Sequence, residues 1–140
     1  MMRPFSGIDL RRIKSNGFSN TGNLDFVFDD PDFWKSTLED NATGEVMAIV
    51  CWKAYQGDNY LAFLLISDDI KPIHARTLKK YIHQGARDFR MERIQTDSVD
   101  CEVLNRWHKF LGFDLEGIRK RMLNGKDYAM WAYMPECRGL

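Results

Sequence analysis

The 140-residue chain is 44% hydrophobic and 29% charged, the size and composition of one domain with a buried core rather than of a disordered segment. Twenty Lys and Arg balance twenty Asp and Glu, so no whole-molecule field draws it to nucleic acid or to a membrane surface. No stretch reaches the roughly 20 apolar residues of a membrane span, and Met1 to Asn20 lacks the apolar centre of a signal peptide, which predicts a cytoplasmic protein.

Without repeats or linkers, the sequence reads as one domain over residues 1–140 with a loop-rich first quarter. A brief strand at Met2 to Phe5 precedes a short helix from Asp9, its cap, to Lys14; Asn16 to Asn23 is polar and glycine-bearing, a loop. Trp34 to Asp40, Glu45 to Tyr55 and Asn59 to Ser67 are strand-like runs separated by Asn41 to Gly44 and Gln56 to Asp58, which predicts two hairpins in series. Tyr60 to Ile66 is apolar without alternation, as in a central strand covered on both faces by helices.

A helix follows in which Leu78, Tyr81, Ile82, Gly85, Ala86 and Phe89 share one face and Arg76, Lys80, His83 and Arg87 the other. Asp68 or Asp69 is its expected cap, and Pro72 suits its first turn. Ile94 to Val99 is a short strand. Asp100 then caps a second helix with Val103, Leu104, Trp107, Phe110 and Leu111 as its apolar stripe and Gly112 as its stop. Leu115 to Met122 and Lys126 to Met134 flank Asn124-Gly125, the strongest short hairpin signal.

Four features bear on chemistry. The junction from Ile66 to Arg76 opens a helix whose unpaired N–H groups favour an anion; Lys71 and Arg76 add positive charge, Asp68 and Asp69 oppose it, and the alternative is an ordinary strand-to-helix turn. Cys101, Asn105 and His108, at i, i+4 and i+7, place a thiol, an amide and an imidazole on one stripe, either as a site or as core residues; about 10.5 Å of helix rise separates Cys101 from His108 and excludes a direct pair. The stripe of Arg76, Lys80, His83 and Arg87 is a phosphate contact or a solvated face. Phe5, Phe18, Phe26, Phe28, Phe33 and Trp34 line a pocket, hold a partner, or form core. Cys51, Cys101 and Cys137 lack C-x-x-C or His/Cys metal spacing, so free thiols and no metal site are expected.

The order of elements, with the segment Asn105 to Phe113 followed by Glu116-Gly117, resembles the GCN5-related N-acetyltransferase (GNAT) superfamily, best over Glu45 to Met134. The resemblance implies an α/β (α+β) fold: a mixed, mostly antiparallel central sheet flanked by helices, with a splayed parallel strand pair and a C-terminal β-hairpin. It implies an acetyl-CoA-dependent N-acetyltransferase acting by direct attack of an amine on a protein or small molecule. Leu64, Leu65 and Ile66 then correspond to the strand that pairs with the pantetheine, and Ile70, Lys71, Ile73, His74, Ala75 and Arg76 to the pyrophosphate turn. Of the family's small-residue phosphate loop only Ala75 is matched. Cys101 and Asn105 fall beside the coenzyme, His108 takes the place of a tyrosine that serves as general acid, and Asp68 and Asp69 are the nearest carboxylates for a general base.

The segment Arg106 to Gly117 and the turn Gly125 to Tyr128 also resemble small acetyltransferase-like proteins of tailed bacteriophages, which would put the protein in a host cytoplasm. The competing expectation is a non-catalytic GNAT-fold phage protein, virion-associated or binding a host protein. A homodimer is in keeping with the fold, with Tyr128, Trp131 and Tyr133 as core or interface; nucleic acid and membrane are not expected partners.

Overall fold

The computed structural model describes residues 1–14, 28–123 and 125–135; the loop expected over 16–23, and Phe18, Phe26, Asn124 and Cys137, lie outside them. The strands are β1 (Met2–Pro4), β2 (Trp34–Glu39), β3 (Val46–Gln56), β4 (Asn59–Ile66), β5 (Arg93–Val99), β6 (Asp114–Leu123) and β7 (Lys126–Tyr133). The helices among the described residues are α1 (Asp9–Arg12), α2 (Pro72–Asp88) and α3 (Glu102–Leu111). All seven strands join one sheet in the order β1-β2-β3-β4-β5-β7-β6, antiparallel throughout except between β4 and β5. This is the mixed, mostly antiparallel sheet with a terminal hairpin that the sequence led one to expect.

Over β2–β4 the sheet buries both faces, by different means. On one face Leu38, Ala48, Val50, Trp52, Ala62, Leu64 and Ile66 meet Leu78, Ile82 and Ala86 of α2 and Leu111 of α3. Leu78 and Ile82, essentially inaccessible, each contribute about 1.5–3 kcal/mol by leaving water. On the other face Phe33, Val46, Ile49 and Cys51 pack with Phe5, Leu10, Ile13, Phe28, Phe63 and Leu65. The covering of β4 on that face is therefore an N-terminal segment, not the full helix expected from its unbroken apolar run. Phe5, Phe28 and Phe33 are core.

Each of the three expected acidic caps is corrected. Ile8 precedes α1, and Asp9 lies within its first turn, fully buried. Its carboxylate accepts from Arg3 at 2.8 and 2.9 Å, from the Ser6 N–H at 2.9 Å and from the Thr37 hydroxyl at 2.8 Å, so it ties β1 and β2 to α1. Lys71, not Asp68 or Asp69, stands before α2, with Pro72 in the first turn as expected. Cys101, not Asp100, precedes α3, and Gly112 ends that helix at φ +96°.

Tyr128, Trp131 and Tyr133 are all buried and belong to the core. His83 departs from the solvated stripe: it stacks on Tyr133 at 4.5 Å and its Nε2–H donates to Leu111 O at 2.7 Å, while Arg76, Lys80 and Arg87 face solvent. Cys51 is buried, and burial pushes its thiol up to about 12, which leaves it unreactive.

Candidate functional site

β4 and β5 pair at three positions only, Asn59 with Arg93, Tyr60 with Ile94 and Leu61 with Gln95. Beyond them β4 runs on to Ile66 and β5 to Val99 without pairing to each other. Each is held on its outer side, β4 by β3 and β5 by β7. Because backbone groups alternate in direction along a strand, both lips of the gap present N–H and C=O groups to it. Leu64 and Ile66 are buried under α2, and Leu65 lies on the opposite face among the aromatics.

At the mouth of the gap the chain turns into α2. Ile70 packs on the core, Lys71 and Arg76 are exposed, and Ile73 is 60% exposed. His74 is buried and committed: its Nδ1 accepts from the Lys71 backbone N–H at 3.1 Å, so its Nε2–H donates to Asp40 Oδ2 at 2.8 Å. That contact fastens the helix start to the β2–β3 turn. Asp40 is held well below the usual carboxylate range by the Thr43 backbone N–H, His74 and the Ala42 N–H. Asp68 and Asp69 are both exposed, past the end of β4; the Asp69 N–H donates to Ser67 Oγ at 3.1 Å.

Between α2 and α3 runs a groove of about 380 Å3 lined by Ala75, Val103, Arg106, Trp107 and Phe110. The apolar stripe of α3 is thus divided. Leu104 and Leu111 face the sheet, whereas Val103 and Phe110 are 37% and 40% exposed and form the groove wall. The Lys79 ammonium lies 5.2 Å from the Phe110 ring centroid. On α2 and α3 together, Arg76, Lys79, Lys80, Arg87, Arg106 and Lys109 face only Asp88 and Glu102 in opposite charge, so this side is cationic within a neutral chain.

The stripe of Cys101, Asn105 and His108 is not brought together as a reactive set. Cys101 is half-buried at the start of α3, and Asn105 Nδ2 donates to Asp100 Oδ1 at 2.8 Å. His108 is 2% exposed, stacked on Trp131 at 5.3 Å and edge-on to Phe113 at 6.0 Å. Its Nδ1–H donates to Leu104 O at 2.8 Å and its Nε2 has no hydrogen-bond partner. Burial pushes its pKa down, against the pull of the Leu104 carbonyl. A neutral imidazole with its one N–H committed has no proton to give, which counts against the general acid expected here.

One carboxylate escaped the sequence reading. On β5, Thr96 and Ser98 are buried beneath the helices, so Asp97 projects to the other face beside the gap, half-buried. Burial pushes its carboxyl above the ordinary range and Arg119 pulls it back only in part. The alternation of β5 was a signal for its direction, but its polar inward residues concealed which face was core.

Among the described residues no group of three or more His, Cys, Asp and Glu is placed to hold a metal ion, and no helix is long and apolar enough to cross a membrane. No protein-family model matches the sequence, and no curated protein matches it. Solved structures do resemble it in fold. An N-acetyltransferase from Staphylococcus aureus superposes with a TM-score of 0.71 at 14% identity, covering 97% of each chain. A variant of the spermidine N-acetyltransferase from Vibrio cholerae gives 0.70 at 13% identity, covering 97% of this chain and 95% of that one. An acetyltransferase of the GNAT family from Bacillus anthracis gives 0.62 at 14% identity; the match covers 73% of this chain and spans 66% of that one. The chain has the GNAT fold.

Proposed function

We propose that the protein is an acetyl-CoA-dependent N-acetyltransferase. The observation that carries this reading is the gap between β4 and β5, which offers two rows of backbone polar groups to an extended, amide-bearing ligand that pairs as a short strand. The cationic outer side of α2 and α3 suits the phosphates of such a ligand, and Trp107 and Phe110 suit its adenine. When bound, acetyl-CoA supplies an activated thioester carbonyl. Asp97 accepts the proton that the attacking amine must lose, directly or through water, while a β4 backbone N–H in the gap holds the charge growing on the carbonyl oxygen. The new C–N bond replaces the C–S bond, whose electron pair leaves on sulfur. His108 serves as a stacked ring beneath Trp131 rather than as the acid.

Calorimetric titration with acetyl-CoA and with CoA tests the reading without knowledge of the acceptor. Micromolar binding, about −8 kcal/mol, is expected; no heat at millimolar ligand would refute it. With an accepted amine in hand, Asp97→Asn lowers kcat/KM by about 10²-fold or more at unchanged acetyl-CoA affinity. An unchanged rate removes Asp97 from the reaction. A second reading, a binding module that keeps the fold without the chemistry, is favoured by the committed N–H of His108 and by the lack of glycines between Ile70 and Arg76.

A further inference from the structure

At the opposite end of the strands from the gap mouth, β2, β3, β4 and the C-terminal end of α2 close around a cleft of about 250 Å3. Its walls include Trp34, Trp52, Tyr60 and Phe89, with Asp32 and Lys53 at its edge. Phe89 is the hub, with its ring centroid 5.4 Å from Trp34, 5.6 Å from Trp52 and 6.2 Å from Tyr60, each pair edge-to-face at 69° to 84°. In each of these pairs the edge of one ring meets the face of the other, and Trp52 is buried and stacked on Tyr81, so the ring that the cleft presents most openly is the indole of Trp34. Trp34 is 50% exposed yet fixed, because its indole N–H donates to the Tyr81 hydroxyl at 3.1 Å.

The charges around the cleft select among ligands. Lys53 is 2.8 Å from Asp30 and 5.5 Å from the Phe33 ring centroid, so its ammonium is already met by a carboxylate and a π face. Asp32, exposed at the rim, is a second carboxylate acting on Lys53, so Asp30, Asp32 and Lys53 together leave an excess of negative charge at the cleft. The exposed indole of Trp34 and this excess carboxylate disfavour anions and give no advantage to neutral apolar groups. They fit a cation whose charge is spread over carbon. We propose that this cleft binds a methylated ammonium group, held by cation–π contact with Trp34 and by Asp32. Acetyl transfer makes no use of these residues, so the site stands apart from the β4–β5 gap.

The test is a titration of the intact protein followed by the indole N–H resonances, with Trp34 identified by its loss in Trp34→Phe. Choline is compared with 3,3-dimethylbutan-1-ol, which has the same shape without the charge, at constant ionic strength. A saturable shift of the Trp34 resonance with choline is expected, at least about fivefold weaker with the alcohol. Asp32→Asn, at an exposed position, is expected to weaken choline binding about two- to fivefold and supplies the comparison should Trp34→Phe not fold. Absence of a saturable Trp34 shift, an equal response to the alcohol, or an Asp32→Asn protein that binds choline as the parent does would each overturn the proposal.

Discussion

Asp9 shows how far a residue's role depends on partners distant in sequence. Burial raises the pKa of its carboxyl, but the hydrogen bonds from Arg3, the Ser6 N–H and Thr37 outweigh it and bring the value down to about 2, from 3.8 for a free side chain. A carboxyl depressed in the folded state contributes stability that is full above pH 4 and is lost as pH falls from about 4 to 2. Asp9→Asn is therefore expected to cost about 2 kcal/mol at pH 7 and to remove part of the acid sensitivity of the denaturant midpoint. A variant that loses stability with acid as steeply as the parent would contradict this account. In the sequence Asp9 looks like a helix cap, since its type and its place before Leu10-Arg11-Arg12 are right for one. Arg3 and Thr37 reach it only through the β1–β2 pairing, and that is invisible in a local pattern.

Elements whose signals are local were legible almost to the residue. β2 to β4 follow the spacing of turn residues, and the β6–β7 hairpin follows Asn124-Gly125, with Gly125 at φ +72°. The faces of elements were harder. On α3, apolar type puts Trp107 on the apolar stripe and leaves His108 open between a site and the core; the fold buries His108 against Trp131 and leaves Trp107 half-buried on the groove. A ring stacked on a ring overrides the polarity of its edge. Gly85 of α2 is a case in which periodicity chose the correct face without giving the reason. A Cβ there would lie 2.5 Å from Trp52 Cη2, and Trp52 is too enclosed to yield. Gly85→Ala gains about 1 kcal/mol of helix propensity but overpacks the contact, for a net loss of about 1–3 kcal/mol in chemical denaturation. A more stable variant would mean that α2 lifts from β3 freely.

For the whole molecule, the gap is legible in the sequence only through family likeness, because no composition or periodicity marks where two parallel strands part. Its consequence extends beyond ligand contact. Strands β1–β4 form one half of the sheet and β5–β7 the other, joined by three residue pairs and by one core beneath α2 that draws on both. Each half is continuous in the chain, so each has the makings of a separate opening unit, and amide exchange should fall into two classes with different opening free energies. Exchange from β3 and β7 with a single shared opening energy in the ligand-free protein would argue against this. A strand-like guest in the gap would supply rungs to both halves, joining two ladders across a seam. Its binding should then appear as a merging of the two exchange classes, since cooperativity across the sheet would be lent by a molecule that is not part of the chain.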